Sequence, residues 1–98
     1  MTAKYETVFA LSVKTYADEE ALNGVVEKFK KLMTDNGATI DNVDVWGKKR
    51  MAYAVNYETE AYYVLINFTA DVTFPAELER NYRITDGVLR SLVVRTDK

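Results

Sequence analysis

Three consecutive cations, Lys48, Lys49 and Arg50, follow a Trp-Gly pair in the stretch WGKKRMAYAV. Lysine and arginine side chains neutralise phosphate groups, and aromatic rings such as those of Trp46 and Tyr53 commonly accompany them in nucleic-acid-binding surfaces. The stretch therefore favours contact with phosphate groups. A solvated end of a β-strand accounts for the same residues equally well, so the local pattern leaves both interpretations open.

Charge is unevenly distributed along a chain whose formal net charge is −2. Acidic residues concentrate between positions 18 and 44, whereas positions 47–57 contain three cations and no acid. From Arg80 onwards basic residues again outnumber acidic ones. A basic face on a mildly acidic protein suits phosphate contacts at one defined site, with weak affinity for nucleic acid elsewhere.

Residues that commonly carry catalysis are scarce. The chain contains no cysteine and no histidine, so Ser12 and Ser91 have no histidine to activate them. Asp41 and Asp44 lack the alternating oxygen ligands of a calcium loop. The glycines are too far apart to form a phosphate-binding loop, since they stand at positions 24, 37, 47 and 87. We expect no enzymatic activity, no cofactor and no metal site.

Length and hydropathy predict one soluble domain over residues 1–98. No apolar run approaches the ~20 residues of a membrane-spanning helix, and the N-terminus is too charged for a signal peptide. The absence of thiols fits a reducing compartment, so we expect the protein in the cytoplasm, without a membrane partner.

The spacing of apolar residues predicts six elements. A helix begins at Asp18 and ends at Asn36-Gly37, because apolar residues recur at helical spacing between them. A second helix at 75–84 starts with Pro75, and residues 56–60 are predicted to form a polar hairpin loop. The predicted strands cover residues 4–11, 39–56, 61–68 and 88–95.

This order, β-α-β-β-α-β, predicts an α+β fold of the ferredoxin-like type. Two helices would cover one face of a four-stranded antiparallel sheet, with the first and third strands at its centre. Both of these strands carry apolar or aromatic residues on alternate sides, so part of the uncovered face is either an apolar binding surface or is covered by long side chains. The residues concerned are Tyr5, Phe9, Tyr62, Tyr63, Val64 and Leu65.

Four segments of the chain resemble the family of the sixth protein of the bacterial small ribosomal subunit. They are KYETVF, EKFKKLMTDNGATI, WGKKRMAYAV and AELERNYRITDGVLRSLVVR, which together extend over essentially the whole chain. The most specific part runs from Gly47 through Lys49-Arg50 to Tyr53. The chain departs from the family pattern at Ala54, where a proline is common, and at Asn56 and Tyr57, where a basic residue often follows.

The resemblance implies a non-catalytic ribosomal protein that binds the central domain of small-subunit ribosomal RNA. Its protein partner would be the eighteenth small-subunit protein, in a heterodimer, and the isolated chain would be a monomer. Trp46, Tyr53 and Tyr62 are the candidates for the partner-protein surface, although a place in the core is equally consistent for each. The candidate RNA-binding residues are Lys4, Lys48, Lys49, Arg50, Arg83, Arg90 and Arg95.

Two other classes of protein share the predicted fold. A conventional RNA-recognition domain carries glycines in its third strand, which the segment AYYVLINF lacks. A small-molecule-binding regulatory module of ferredoxin-like fold is the main alternative, and it is typically dimeric.

Overall fold

The structure is a computed structural model that describes residues 1–55 and 57–96. It consists of a four-stranded antiparallel sheet and two helices. The strands lie in the order β2-β3-β1-β4, so the first and third strands occupy the centre. This order confirms the predicted ferredoxin-like fold. The elements are β1 (Thr2–Ser12), α1 (Glu19–Asp35), β2 (Thr39–Val55), β3 (Glu58–Asp71), α2 (Phe74–Ile84) and β4 (Val88–Arg95).

Both helices begin and end close to the predicted residues. The carboxylate of Asp18 caps α1, because its Oδ1 accepts a hydrogen bond of 2.7 Å from the backbone N–H of Ala21. Gly37 ends this helix with a φ of +83°, a conformation that favours glycine. Pro75 lies in the first turn of α2, where its missing N–H costs no helical hydrogen bond.

The main core lies between the helices and one face of the sheet. In β1 the side chains of odd-numbered residues face the helices, and those of even-numbered residues point the other way. Phe9 lies opposite Val64 and packs against Phe29 of α1 and Tyr82 of α2, with ring centroids 5.3 Å away from each. This core attaches the sheet to both helices.

Strand β3 begins earlier than predicted. Glu58 and the next two residues were predicted to lie in the hairpin loop, but they belong to β3, while Asn56 lies outside the described residues. Glu58 is only 7 % exposed, and its carboxylate accepts a hydrogen bond from the hydroxyl of Ser12. Ser12, which is distant in the chain, therefore supplies the hydrogen bond that a buried polar residue of the sheet requires.

Neither helix in the described part of the chain is long and apolar enough to cross a membrane.

Candidate functional site

The face of the sheet that turns away from the helices, here called the open face, carries an apolar surface. Val8 of β1 lies beside Leu65 of β3 and Leu92 of β4. Leu92 is 59 % exposed and its neighbour Val94 is 41 % exposed. A shallow cavity of about 210 Å³ lies on this face, lined by Val8, Ala10, Tyr63, Arg90, Ser91 and Leu92. An uncovered apolar surface of this kind is typical of a binding site.

The structure divides the apolar residues that the sequence left unassigned. Tyr63 and Leu65 belong to the open face and are half-buried. The others are buried against the helices, namely Tyr5, Phe9, Tyr62 and Val64. The contribution of β4 could not be predicted from the sequence, because Leu92 and Val94 stand in a strand whose faces no local pattern separates.

Trp46 forms an aromatic platform at one edge of the open face. Its ring stacks on that of Tyr63, with centroids 6.2 Å apart and an interplanar angle of 28°. The indole Nε1 donates a hydrogen bond of 3.0 Å to Oδ2 of Asp44, which orients the ring. Trp46 is 41 % exposed, so its outer surface is available to a partner.

A β-bulge next to Trp46 decides where the cations point. The register passes from Val45 directly to Gly47, which has a φ of +80°. Beyond the bulge Lys48 lies opposite Tyr62, and Lys49 lies opposite Ala61. Directly opposed residues share a face of the sheet, so Lys49 belongs to the open face and Lys48 to the helix-covered face. The consecutive cations therefore alternate between the two faces of the sheet at its β2 edge.

Arg90 supplies a cation to the open face from the other edge strand. It lies opposite Ala10 of β1, and its guanidinium carbon lies 5.4 Å from the ring centroid of Tyr53. Tyr53 belongs to β2 and is 61 % exposed. The contact joins the two edge strands at one end of the sheet, which is also the end at which Lys49 lies.

The remaining predicted cations lie elsewhere. Lys4 is opposite Thr69 and Arg95 is opposite Tyr5, towards the other end of the central strands. Lys4 precedes Ala10 by six residues of β1, a separation of about 20 Å along a strand. Arg83 is exposed in the last turn of α2. The structure thus brings Lys49 and Arg90 to one end of the open face, but it does not gather all the predicted cations there.

Tyr62 needs a correction. It was a candidate for the partner surface, but it lies on the helix-covered face and is 7 % exposed. Burial raises the pKa of its phenol, and the nearby carboxylate of Glu19 adds to this effect. A side chain with so little accessible surface can make few contacts with a partner protein, so we remove Tyr62 from the candidate site.

Comparison with known proteins identifies the family. The family model described as "Ribosomal protein S6" matches residues 4–95. The chain belongs to the ribosomal protein S6 family. It is 50 % identical over 91 residues to the small ribosomal subunit protein bS6 of Clostridium botulinum (strain Loch Maree / Type A3), covering 93 % of this chain and 95 % of the relative. It is 49 % identical over 94 residues to bS6 of Thermoanaerobacter pseudethanolicus, covering 96 % and 97 % respectively.

A solved structure agrees with this ribosomal protein S6 assignment. The crystal structure of the 30S ribosomal protein S6 from Thermotoga maritima superimposes with a TM-score of 0.90 at 29 % sequence identity. The match covers 98 % of this chain and 89 % of the other. As a member of the S6 family the chain is a non-enzymatic, structural component of the small ribosomal subunit, and it functions in the cytoplasmic ribosome. Membership in the S6 family favours the ribosomal protein over the two other ferredoxin-like classes considered above, the RNA-recognition domain and the small-molecule-binding regulatory module.

Proposed function

We propose that this S6-family chain binds the central domain of small-subunit ribosomal RNA as a heterodimer with the eighteenth small-subunit protein. The observation that carries the proposal is the position of Lys49 and Arg90, which lie at one end of an exposed apolar surface. An apolar surface suits a protein partner, and a basic rim suits RNA phosphates. One side of the sheet therefore offers both kinds of contact next to each other.

The partner protein would cover the apolar part of the open face. Trp46 and Tyr53 provide large exposed rings there, and aromatic residues dominate the energetics of many protein interfaces. Leu92 and Val94 continue the same surface onto β4. Covering these side chains stabilises the complex, because it removes apolar area from water.

The RNA would contact the basic end of the sheet. The cations there are Lys48, Lys49, Arg50 and Arg90, with Arg83, Lys4 and Arg95 as further candidates elsewhere on the surface. This chain alone places few cations at that end of the open face, and a bound partner would extend the surface that the RNA contacts, so binding would be cooperative. Specificity would come mainly from the shape and backbone of the RNA rather than from its base edges.

The salt dependence of RNA binding tests this proposal. A central-domain RNA fragment is titrated with the chain, with and without the partner protein, over a series of salt concentrations. We expect tight binding only when the partner is present. Replacing Lys48, Lys49 and Arg50 by alanine should reduce the slope of log K against log salt by roughly two to three units, since each lost phosphate contact removes about 0.7–0.9.

A matched control separates the local effect from the effect of net charge. Replacing Lys28, Lys30 and Lys31 of α1 by alanine removes the same number of positive charges on the helix side. We expect this variant to retain the native slope. Equal slopes for both triple variants would show that Lys48, Lys49 and Arg50 form a solvated strand end without phosphate contacts. The absence of any RNA binding with the partner present would contradict the proposed function.

Sedimentation of the isolated chain tests the expected monomeric state. A stable homodimer that leaves the open face inaccessible would contradict the heterodimer.

A further inference from the structure

Part of β2 leaves the strand ladder immediately after the cations. Arg50 lies opposite Glu60 and Val55 lies opposite Glu58, so residues 51–54 face Thr59 alone. We call residues 51–54 the strap. Because an irregular segment of this kind is left without regular ladder pairing, side-chain contacts must hold it in place.

Met51 is the first anchor of the strap. It is 6 % exposed, whereas its neighbours on both sides, Lys48 to Arg50 and Ala52 to Ala54, are all exposed. Its side chain packs against Ala10 and Ala61, which are fully buried. Alanine at both positions leaves room for the long, flexible methionine side chain.

This small cluster is separate from the main core. Val55, Tyr63 and Leu89 pack around it, so it receives side chains from all four strands. It lies on the open face, because Ala10 and Ala61 belong to that face. Met51 therefore attaches the strap to the sheet on the side that carries the candidate site.

Tyr53 is the second anchor, through its contact with Arg90. The strands β2 and β4 form opposite edges of the sheet, and three strand spacings separate them, about 14 Å. Tyr53 reaches Arg90 only because the strap crosses over the open face. The strap consequently joins the basic residues of β2 to the cation of β4.

We infer that Met51 is a positioning residue for RNA binding: it holds the strap across the open face, so that Lys49 and Arg90 act as one phosphate-binding surface. Met51 is buried and makes no contact with RNA itself. The inference rests on the proposed function, and it adds a residue that carries no charge and no aromatic ring to the set that determines RNA affinity.

The test compares Met51→Ala with Met33→Ala, which truncates a fully buried methionine of α1 in the main core. Both variants lose buried volume, but only Met51→Ala releases the strap. With the partner protein present, we expect Met51→Ala to lower RNA affinity by about tenfold and to reduce the salt slope by about one phosphate contact, 0.7–0.9 units. Met33→Ala should keep the native slope at temperatures where it is folded, and Met51→Leu should restore most of the affinity.

A second measurement does not depend on RNA. Amide hydrogen exchange of residues 51–54, and the nuclear Overhauser contact between the Tyr53 ring and Arg90, report on the position of the strap. Met51→Ala should accelerate exchange in the strap and remove the contact, while Met33→Ala should leave both as in the native chain. Tyr53→Ala releases the second anchor at an exposed position, so faster exchange in its strap supports the strap even if Met51→Ala folds poorly. Hydrogen exchange is the readout for this variant, because Tyr53 is also a candidate contact for the partner protein.

The outcomes separate the two claims. Native RNA affinity and native salt slope in folded Met51→Ala and Tyr53→Ala, while the native chain binds RNA, would overturn the inference alone. A native chain that does not bind RNA in the presence of the partner would overturn the proposed function and, with it, the role of Met51 in RNA binding. Unchanged strap exchange in Met51→Ala would show that Met51 is not the anchor.

Discussion

The hydroxyl oxygen of Ser12 lies 2.7 Å from each carboxylate oxygen of Glu58, and both residues are buried. The same hydroxyl accepts a hydrogen bond of 3.0 Å from the backbone N–H of Thr15. Close by, Nζ of Lys14 donates to the backbone carbonyl of Tyr57 at 3.3 Å. The connection between β1 and α1 is therefore attached to the beginning of β3, at the end of the sheet that carries the strap.

Replacing Ser12 by alanine should destabilise the fold. The substitution leaves the buried carboxylate of Glu58 without its hydroxyl donor, and an unsatisfied buried polar group costs about 1–3 kcal/mol. Urea denaturation measures the change in the free energy of unfolding. Ser91→Ala is the matched control, because Ser91 is exposed on β4 and its substitution should change stability by less than about 0.5 kcal/mol. Equal midpoints for the two variants would show that the Ser12–Glu58 contact contributes nothing.

Tyr82 should make stability depend on pH in the alkaline range. Burial raises the pKa of its phenol well above the ordinary value of 10.0, and the hydrogen bond with Thr7 has a smaller, opposite effect. Below pH 10 the phenol is neutral in both states, so its contribution is fully present. Above pH 10 only the unfolded chain releases the proton, so stability falls by about 1.4 kcal/mol per pH unit from this group.

Tyr82→Phe isolates that contribution. At neutral pH the variant should be less stable by about 1–2 kcal/mol, because the buried hydroxyl of Thr7 loses its partner. The difference from the native chain should shrink as the pH rises from 10 towards about 11, since the variant lacks the titrating group. Thr7→Val keeps the phenol and should retain the alkaline loss of stability. A difference between native and Tyr82→Phe that is independent of pH would contradict the argument.

Two glycines should respond to alanine in opposite directions. Gly24 is exposed in the middle of α1, and a Cβ there would contact nothing within 4 Å, so Gly24→Ala should stabilise the fold by about 0.5–1 kcal/mol. Gly47 has equally open surroundings but a φ of +80°, so Gly47→Ala should cost about 1–2 kcal/mol. Thermal denaturation measures both. Changes of the same sign would show that local backbone conformation does not control stability at these positions.

The helices were predictable because their signals are local. The apolar residues of α1 recur at helical spacing, Asp18 caps it, and Gly37 ends it, all within one short segment. The start of β3 was not predictable, since Glu58 lies in a polar segment that is typical of a hairpin loop. Its place in the sheet depends on Ser12, which is 46 residues away in the chain.

The candidate site was predictable in composition but not in arrangement. The cations and aromatic residues of 46–53 were visible in the sequence, but the face on which each lies was not. A shift of one residue moves every following side chain to the other face of a sheet, so the bulge at Gly47 decides that Lys49, and not Lys48, lies on the open face. The adjacent tyrosines at 62 and 63 likewise lie on opposite faces, which removes Tyr62 from the candidate site.

The sequence by itself determined the fold class, the order of the six elements and the resemblance to the S6 family, because periodicity, caps and short motifs act over neighbouring residues. Only the tertiary structure decided which residues share the open face, and it alone revealed the burial of Met51 and the contact of Tyr53 with Arg90. These relationships join strands at opposite edges of the sheet. They depend on strand register and on an irregular segment, and neither leaves a periodic signal in the chain.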